Sequence, residues 1–451
     1  MKLARLATFA SLTALTVGSA LAAQALRAPA AAVRAPVPTS ARPAVRTLPA
    51  TQALFDGYVR DDKMPGIVAA YGIGDAPTMF PAAGRIADDP AAAPAGPDSL
   101  WRIYSMTKPI TGMAAMILIE QGKIGLDDPV AKYIPAFASM KVLTSPDTSL
   151  ESVPARTPIT IRHLLTHSGG LGYNIIVKGP LLKQYEQRGI LPAQVNMAVE
   201  AQMRRVRPGS LAEFADRVAA LPLIAEPGTK WSYSIGLDVM GRVIEVASGM
   251  SFEAFVQQRL FDPLKMRSTF WTVPRGEVGR LATNYVFTGD ARAPLDTAAG
   301  SVWLQPPSFP YGGAGLVSSA RDYDRFLHML QNYGTLDGVR IMKRETAQLA
   351  MSNLLPAGVT FRGIGGGTGG TTAAAPLGFG AGGSVYLADG PLGFPSKGTY
   401  GWGGAAGTIA YVDAGRGVRG TIMVNYFPSE RWPTRAETVA ALARDMAGSP
   451  R

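Results

Sequence analysis

The chain is 451 residues long, 47% hydrophobic and 17% charged, proportions that exclude a disordered or fibrous protein and allow a large core. Of its net charge of +11, six charges come from Lys2, Arg5, Arg27, Arg34, Arg42 and Arg46, leaving +5 spread over the rest, too diffuse for nucleic-acid binding. There is no cysteine, which excludes disulfides, thiolate nucleophiles, cysteine-ligated zinc and lipidation through cysteine, and only His163, His167 and His328 are available for histidine chemistry.

In chain order, a short basic start (Lys2, Arg5) and an uncharged stretch ending in Ala20-Leu21-Ala22 or Ala23-Gln24-Ala25 predict a cleaved secretory signal peptide over 1–25. Its Ala, Thr, Ser and Gly content makes a poor permanent anchor, so a periplasmic location is expected. Residues 26–50, rich in Ala, Pro and Arg, read as a disordered linker. A helix is expected near 53–60 and strands near 66–71 and 78–85. From Tyr104, apolar residues at Ile110, Met113, Ala114, Ile117 and Leu118 recur every three or four positions, predicting a helix with one face in a core. Ser105 and Lys108 are three apart and emerge together from its opening turn. Pro109 is tolerated there because the first N–H groups of a helix lack intrahelical partners. A hydroxyl at the positive end of a helix, beside an ammonium, gives up its proton more readily. About one Ser-x-x-Lys is expected by chance in such a chain, so the motif draws its weight from context.

Further along, Gly122 and Gly125 stop this helix, and a helix over 160–167 ends at Gly169-Gly170. Residues 173–217, punctuated by Pro180, Pro192 and Pro208, read as an excursion over the mouth of a site. The turn Glu226-Pro227-Gly228-Thr229 delivers Tyr233 to a helix whose apolar face carries Val239, Met240, Val243, Ile244 and Ala247. Another helix follows over 251–261. A glycine-rich run from Tyr311 to Leu316 precedes a helix opening at Ser319 with Asp322 three residues on. Low-complexity sequence over 363–383 leads to a strand near Phe379, then strands over 408–413 and 418–426, and Thr434 with Glu437 caps a last helix. Strands at both ends with helices between predict an α+β fold. Its central antiparallel sheet comes from both chain ends (about 51–125 and 300–445), with a mostly helical lobe inserted at about 126–299.

No Gly-x-Ser-x-Gly occurs, so a nucleophile elbow is not expected. His163 and His167 have the spacing of a zinc pair, but Leu164-Leu165-Thr166 between them supplies no glutamate; both read as packed or capping, and His328 as structural. No metal or cofactor is expected. A serine used without histidine still needs a proton acceptor and donors for the oxyanion. Ser105 and Lys108 supply the first pair, Tyr233 offers a phenolate if an ammonium lies near it, and Gly403-Gly404 lets backbone approach an acyl group.

With Ser105-Met106-Thr107-Lys108, Tyr233-Ser234 between Trp231 and Asp238-Val239, and Trp402-Gly403-Gly404, joined by the runs from His163 to Leu171 and from Gly313 to Ser318, the chain from about 51 to 445 resembles a known family. This is the serine β-lactamase-related family of penicillin-binding-protein fold, in its class C-like branch of family VIII carboxylesterases and transesterases. The resemblance implies a β-lactamase/transpeptidase-like fold, Ser105 as the acylated nucleophile, Lys108 assisting its deprotonation and Tyr233 as general base. It also implies an oxyanion hole from the backbone N–H groups of Ser105 and Ala405, and substrate binding at Trp402, Gly403 and Gly404.

Two departures bear on substrate. Ile235 stands where the family's Tyr-x-Asn has asparagine, and Trp402 where its last motif begins with lysine or histidine. A cation there recognises a carboxylate, whereas an indole offers area without charge; Lys397 and Arg416 are candidate substitutes. Asp238 is expected to bond backbone near Ser234, and Met113 and Met116 to lie in the core. The expected function is an exported serine hydrolase of small carboxylic esters, with no nucleic-acid partner. A β-lactamase or D-amino-acid peptidase, an acyltransferase and a silent ligand-binding relative stay open.

Overall fold

A computed structural model describes residues 47–361, 375–390 and 394–447. The expected signal peptide, nearly all of the linker and part of the glycine-rich stretch after 362 lie outside the described residues.

A seven-stranded antiparallel sheet forms the frame. Its spatial order is Leu377–Phe379, Ser384–Tyr386, Tyr400–Gly403, Ile409–Asp413, Val418–Met423, Gly66–Ile73 and Ala82–Gly84. The N-terminal strand joins the C-terminal ones through Val68↔Met423 to Ile73↔Val418. Gly66–Ile73 is an unbroken apolar run because both of its faces are covered. Ile67, Ala69 and Tyr71 point to one core with Phe55, Tyr58 and Leu442 of the terminal helices Pro49–Arg60 and Thr434–Ala447. Val68 and Ala70 point the other way, into the main core shared with Tyr323 and Phe326 of helix Ala320–Gln331.

The first helix starts four residues earlier than expected, at Pro49, and has no side-chain cap of its own. The Asp445 carboxylate caps it from the last helix, accepting the N–H groups of Ala50 (2.7 Å) and Thr51 (2.9 Å) and the Thr51 hydroxyl (2.7 Å). A negative group at a helix N-terminus satisfies orphan donors and the dipole together. The Thr434–Glu437 cap expected at the other helix does not form: Thr434 pairs with the Tyr426 hydroxyl and Glu437 with Tyr58. Tertiary partners displaced the local bond.

Helices Ile161–Leu165, Gly179–Gln187, Met197–Met203, Leu211–Ala219, Gly236–Ser248, Phe252–Val256 and Asp262–Leu264 lie in the stretch expected to form the inserted lobe. A hairpin absent from the sequence reading, Asn284–Thr288 with Ala291–Asp296, pairs in parallel with Tyr426–Phe427. Its Asp296 accepts from the fully buried Arg102 (Nε to Oδ2, 2.8 Å), and Arg102's backbone is clamped on both sides by the Asn425 amide at 3.0 Å. The strand Leu100–Arg102 is thereby locked three residues before Ser105.

Candidate active site

Ser105 lies in a single 3-10 turn, Tyr104–Met106, that runs directly into helix Thr107–Glu120. The one-faced burial expected for this helix is corrected: every residue from Thr107 to Leu118 is buried, because the helix runs between the sheet and the inserted lobe. Tyr104 holds a positive φ of 40°, a conformation costly for a side chain this size. Edge contacts of its ring with Trp303 and Phe427 keep it there.

The Ser105 side chain is half-exposed and meets two groups. Its Oγ is 3.2 Å from the Lys108 ammonium and 2.7 Å from the Tyr233 hydroxyl. Lys108 is fully buried and also donates to the Gly313 carbonyl at 2.8 Å. Its Nζ stands 4.6 Å from the centre of the Tyr233 ring and 5.5 Å from that of Tyr173. The three residues named from sequence are therefore brought together. Tyr173 and the Gly313 carbonyl were not foreseen; the glycine run at 311–316 was the one signal for the second.

Tyr233 lies outside any helix or strand, just ahead of helix Gly236–Ser248, and is pinned from both sides. Ser232 N–H donates to the His167 carbonyl (2.9 Å) and Ile235 N–H to that of Gly172 (3.1 Å). His167 Nδ1 also accepts the Ser234 N–H at 3.3 Å and lies 2.9 Å from the Ser234 hydroxyl. This serine–histidine pair has no access to substrate: both residues are buried, and burial, aided by the Lys108 charge, holds His167 well below its ordinary imidazole value. Packing and orienting of the tyrosine loop is its role. His163 caps its own helix, its Nδ1 accepting the Thr160 N–H and its backbone N–H meeting the Thr160 hydroxyl.

Trp402 is 8% exposed, among Tyr233, Phe379 and Phe361 at ring distances of 5.8, 5.1 and 6.1 Å. Its indole N–H faces the Tyr233 oxygen at 3.4 Å. Most of the ring thus serves to wall and polarise the phenol, and little is open to a substrate. The next residue, Gly403, has its Cα against the Arg435 guanidinium, where a Cβ would come within 2.8 Å. Gly404 is pressed onto the serine turn: a Cβ there would meet the Ile103 carbonyl at 2.4 Å and the Thr408 hydroxyl at 2.2 Å. Only glycine permits this approach, which sets the Gly404 backbone against the start of the turn that carries Ser105. Ala405 itself is exposed, and among the described residues its N–H has no acceptor within the protein.

Lys397 and Arg416 do not substitute for the missing cation. Gly403 pairs with Ile409, whereas Tyr400 pairs with Val412 and the Arg416 turn follows Asp413, so both exposed side chains lie at the far end of the strands.

Asp238 corrects another expectation. Its carboxylate bonds not near Ser234 but across the core, Oδ1 accepting the Gly313 N–H at 2.8 Å, while Oδ2 is buried with no partner. One peptide residue, Gly313, so takes Asp238 on its N–H and Lys108 on its C=O. Burial pushes the Asp238 carboxyl up to about 7, against the pull of the Lys108 charge and of the Gly313 N–H. Its unfolded counterpart titrates near 3.8. Between those values the folded chain holds the extra proton, so this group's stabilisation falls as pH rises. The melting temperature of the wild type minus that of Asp238→Asn is accordingly expected to decrease from about pH 4 to about pH 7. A flat difference would contradict the assignment.

The arrangement offers a half-buried serine with a buried ammonium and a phenol within hydrogen-bonding reach, and Ala405, which follows the glycine pressed on the serine turn, has an unengaged backbone N–H. Such a set can take a proton from the hydroxyl, stabilise an oxyanion and return the proton.

Comparison with known proteins places this geometry in context. The sequence profile described as beta-lactamase matches residues 51–444. Esterase EstB of Burkholderia gladioli is 30% identical over 393 residues, covering 83% of this chain and 89% of its own. An uncharacterised Mycobacterium tuberculosis protein is 34% identical over 269 residues, 59% of this chain; the match spans 63% of that relative's length, less than two thirds. Among solved structures, EstCE1, a hydrolase with promiscuous acyltransferase activity, shares the fold at a TM-score of 0.70 and 24% identity, covering 88% of this chain and 98% of its own.

Proposed function

Because this chain belongs to the beta-lactamase family, we propose that it is a serine hydrolase that cleaves carboxylic esters of small molecules through an acyl-enzyme on Ser105. The observation that carries the reading is the convergence on one half-exposed hydroxyl of a phenol at 2.7 Å and an ammonium at 3.2 Å. Tyr233 reacts as its phenolate, taking the Ser105 proton as Oγ attacks the ester carbonyl, while the buried Lys108 charge stabilises the negative oxygen of the attacking serine. The tetrahedral oxyanion is received by the backbone N–H groups of Ser105 and Ala405. Tyr233 then protonates the leaving alcohol; in the second half it draws a proton from water as that water attacks the acyl carbon, and it returns the proton to Ser105 Oγ as the C–Oγ bond breaks and the acid leaves.

Ester rather than β-lactam or D-peptide is favoured because no lysine or histidine occupies the Trp402 position and neither Lys397 nor Arg416 reaches it. The similarity to an esterase of Burkholderia gladioli supports the same choice. Acyl transfer to an alcohol would use the same intermediate with a different acceptor, and an acyltransferase of Penicillium decumbens is 29% identical over 341 residues, covering 72% of this chain and 75% of its own.

The purified chain is expected to turn over p-nitrophenyl acetate and butyrate faster than nitrocefin. Faster nitrocefin turnover would reverse the ester preference. Partition of the acyl group to an added short alcohol in excess over water would move the reading to acyl transfer.

A further inference from the structure

Arg435, on the C-terminal helix Thr434–Ala447, is used by none of the steps above. Its Nη2 donates to the Gly404 carbonyl at 2.8 Å and reaches the Thr408 carbonyl at 3.4 Å. The same two carbonyls close the loop between the strands, with Gly404 N–H donating to Thr408 at 2.8 Å and Gly407 N–H to Gly404 at 3.2 Å. No carboxylate among the described residues pairs with this guanidinium, and its Nε is buried without a partner. Burial pulls Arg435 below its ordinary value, while the charges of Glu430, Tyr426 and Tyr233 push it back. A charge held in this way, at a cost in solvation, with backbone carbonyls as its acceptors, calls for an account.

The Gly404 C=O and the Ala405 N–H belong to one peptide unit. That unit is planar and trans, so its carbonyl and its N–H point in opposite directions. We propose that Arg435 is the positioning residue of the oxyanion hole: by gripping the Gly404 carbonyl from behind the strand, it aims and polarises the Ala405 N–H toward the Ser105 side. A charged donor on the carbonyl shortens and strengthens that bond and draws density from the amide, making its N–H a better donor. Gly403 is glycine for a matching reason, since a Cβ there would collide with the guanidinium at 2.8–2.9 Å. The inference rests on the hydrolase reading only in taking Ala405 as an oxyanion donor.

Removing an oxyanion donor outright costs about 10²- to 10³-fold in rate, so loosening one is expected to cost less, about 10- to 100-fold. Arg435→Met is therefore expected to lower kcat on p-nitrophenyl butyrate about 10- to 100-fold with KM within about threefold, rates being counted per Ser105 titrated by a phosphonate ester. Affinity for a methylboronic acid, which forms a tetrahedral adduct on the serine, should weaken by a similar factor. Arg435→Lys keeps a cation for the Gly404 carbonyl but not the planar fork, and should recover part of both losses. A purely structural role would reduce the titratable fraction or the melting temperature while leaving kcat per site and boronate affinity unchanged; that result overturns the proposal. Failure of the hydrolase reading is seen separately, as a wild type without ester turnover. In that case boronate affinity still decides, equal values for the wild type and Arg435→Met refuting the role of Arg435.

Discussion

Ser105→Ala is expected to remove ester turnover, by about 10⁴- to 10⁶-fold, to the level left by binding and the oxyanion donors. The fold should be little changed. The hydroxyl is half-exposed, and its loss leaves Lys108 bonded to the Gly313 carbonyl and Tyr233 facing the Trp402 indole. Intact mass spectrometry after mixing with a slowly released ester should show one acyl group on the wild type and none on the variant. Another serine beside a base exists, Ser234 with His167 at 2.9 Å, and it is the natural rival. It is 2% exposed, and its partner's Nδ1 already receives the Ser234 backbone N–H. Undiminished turnover in Ser105→Ala, with Ser234→Ala inactive, would transfer the nucleophile to that pair and end the present mechanism.

The second large effect belongs to Tyr233→Phe. Removing a positioned general base costs about 10²- to 10⁴-fold, and the phenylalanine keeps the ring that packs on His167 at 4.9 Å and Trp402 at 5.8 Å. The diagnostic lies in which step slows. If one oxygen serves both halves of the reaction, acylation and deacylation fall together and no intermediate accumulates. Should the variant acylate at nearly the wild-type rate and then stall, Lys108 alone would be taking the serine proton, with Tyr233 confined to activating water. Rapid-quench measurement of the burst separates the two.

Legibility in the sequence followed the range of the interaction. Ser105 and Lys108 could be paired from their spacing because three residues of helix bring two side chains together with no help from the rest of the chain. The outline of the fold was equally accessible: apolar runs at both chain ends and amphipathic segments between them announced a sheet shared by the termini. Tyr233 was drawn in by its turn and by resemblance, since 128 residues separate it from Ser105. His163 was read as packed or capping, and a cap with Thr160, three positions away, is what forms, whereas the Thr434–Glu437 cap was not formed because Tyr58 and Tyr426 offered those side chains partners from distant segments.

What composition and local pattern determined by themselves was the inventory: no thiol, scarcely any histidine, one serine–lysine turn at a helix start, and glycines wherever two backbones had to touch. Tertiary structure alone decided what those groups do. It set the Gly313 peptide between Asp238 and Lys108, turned Trp402 inward onto a phenol, and brought Arg435 behind the peptide that ends in the Ala405 N–H. The reason is that a buried charge or an unengaged N–H acquires its meaning from neighbours that share its low-dielectric surroundings, and here those neighbours are contributed by segments that only the closed sheet makes adjacent.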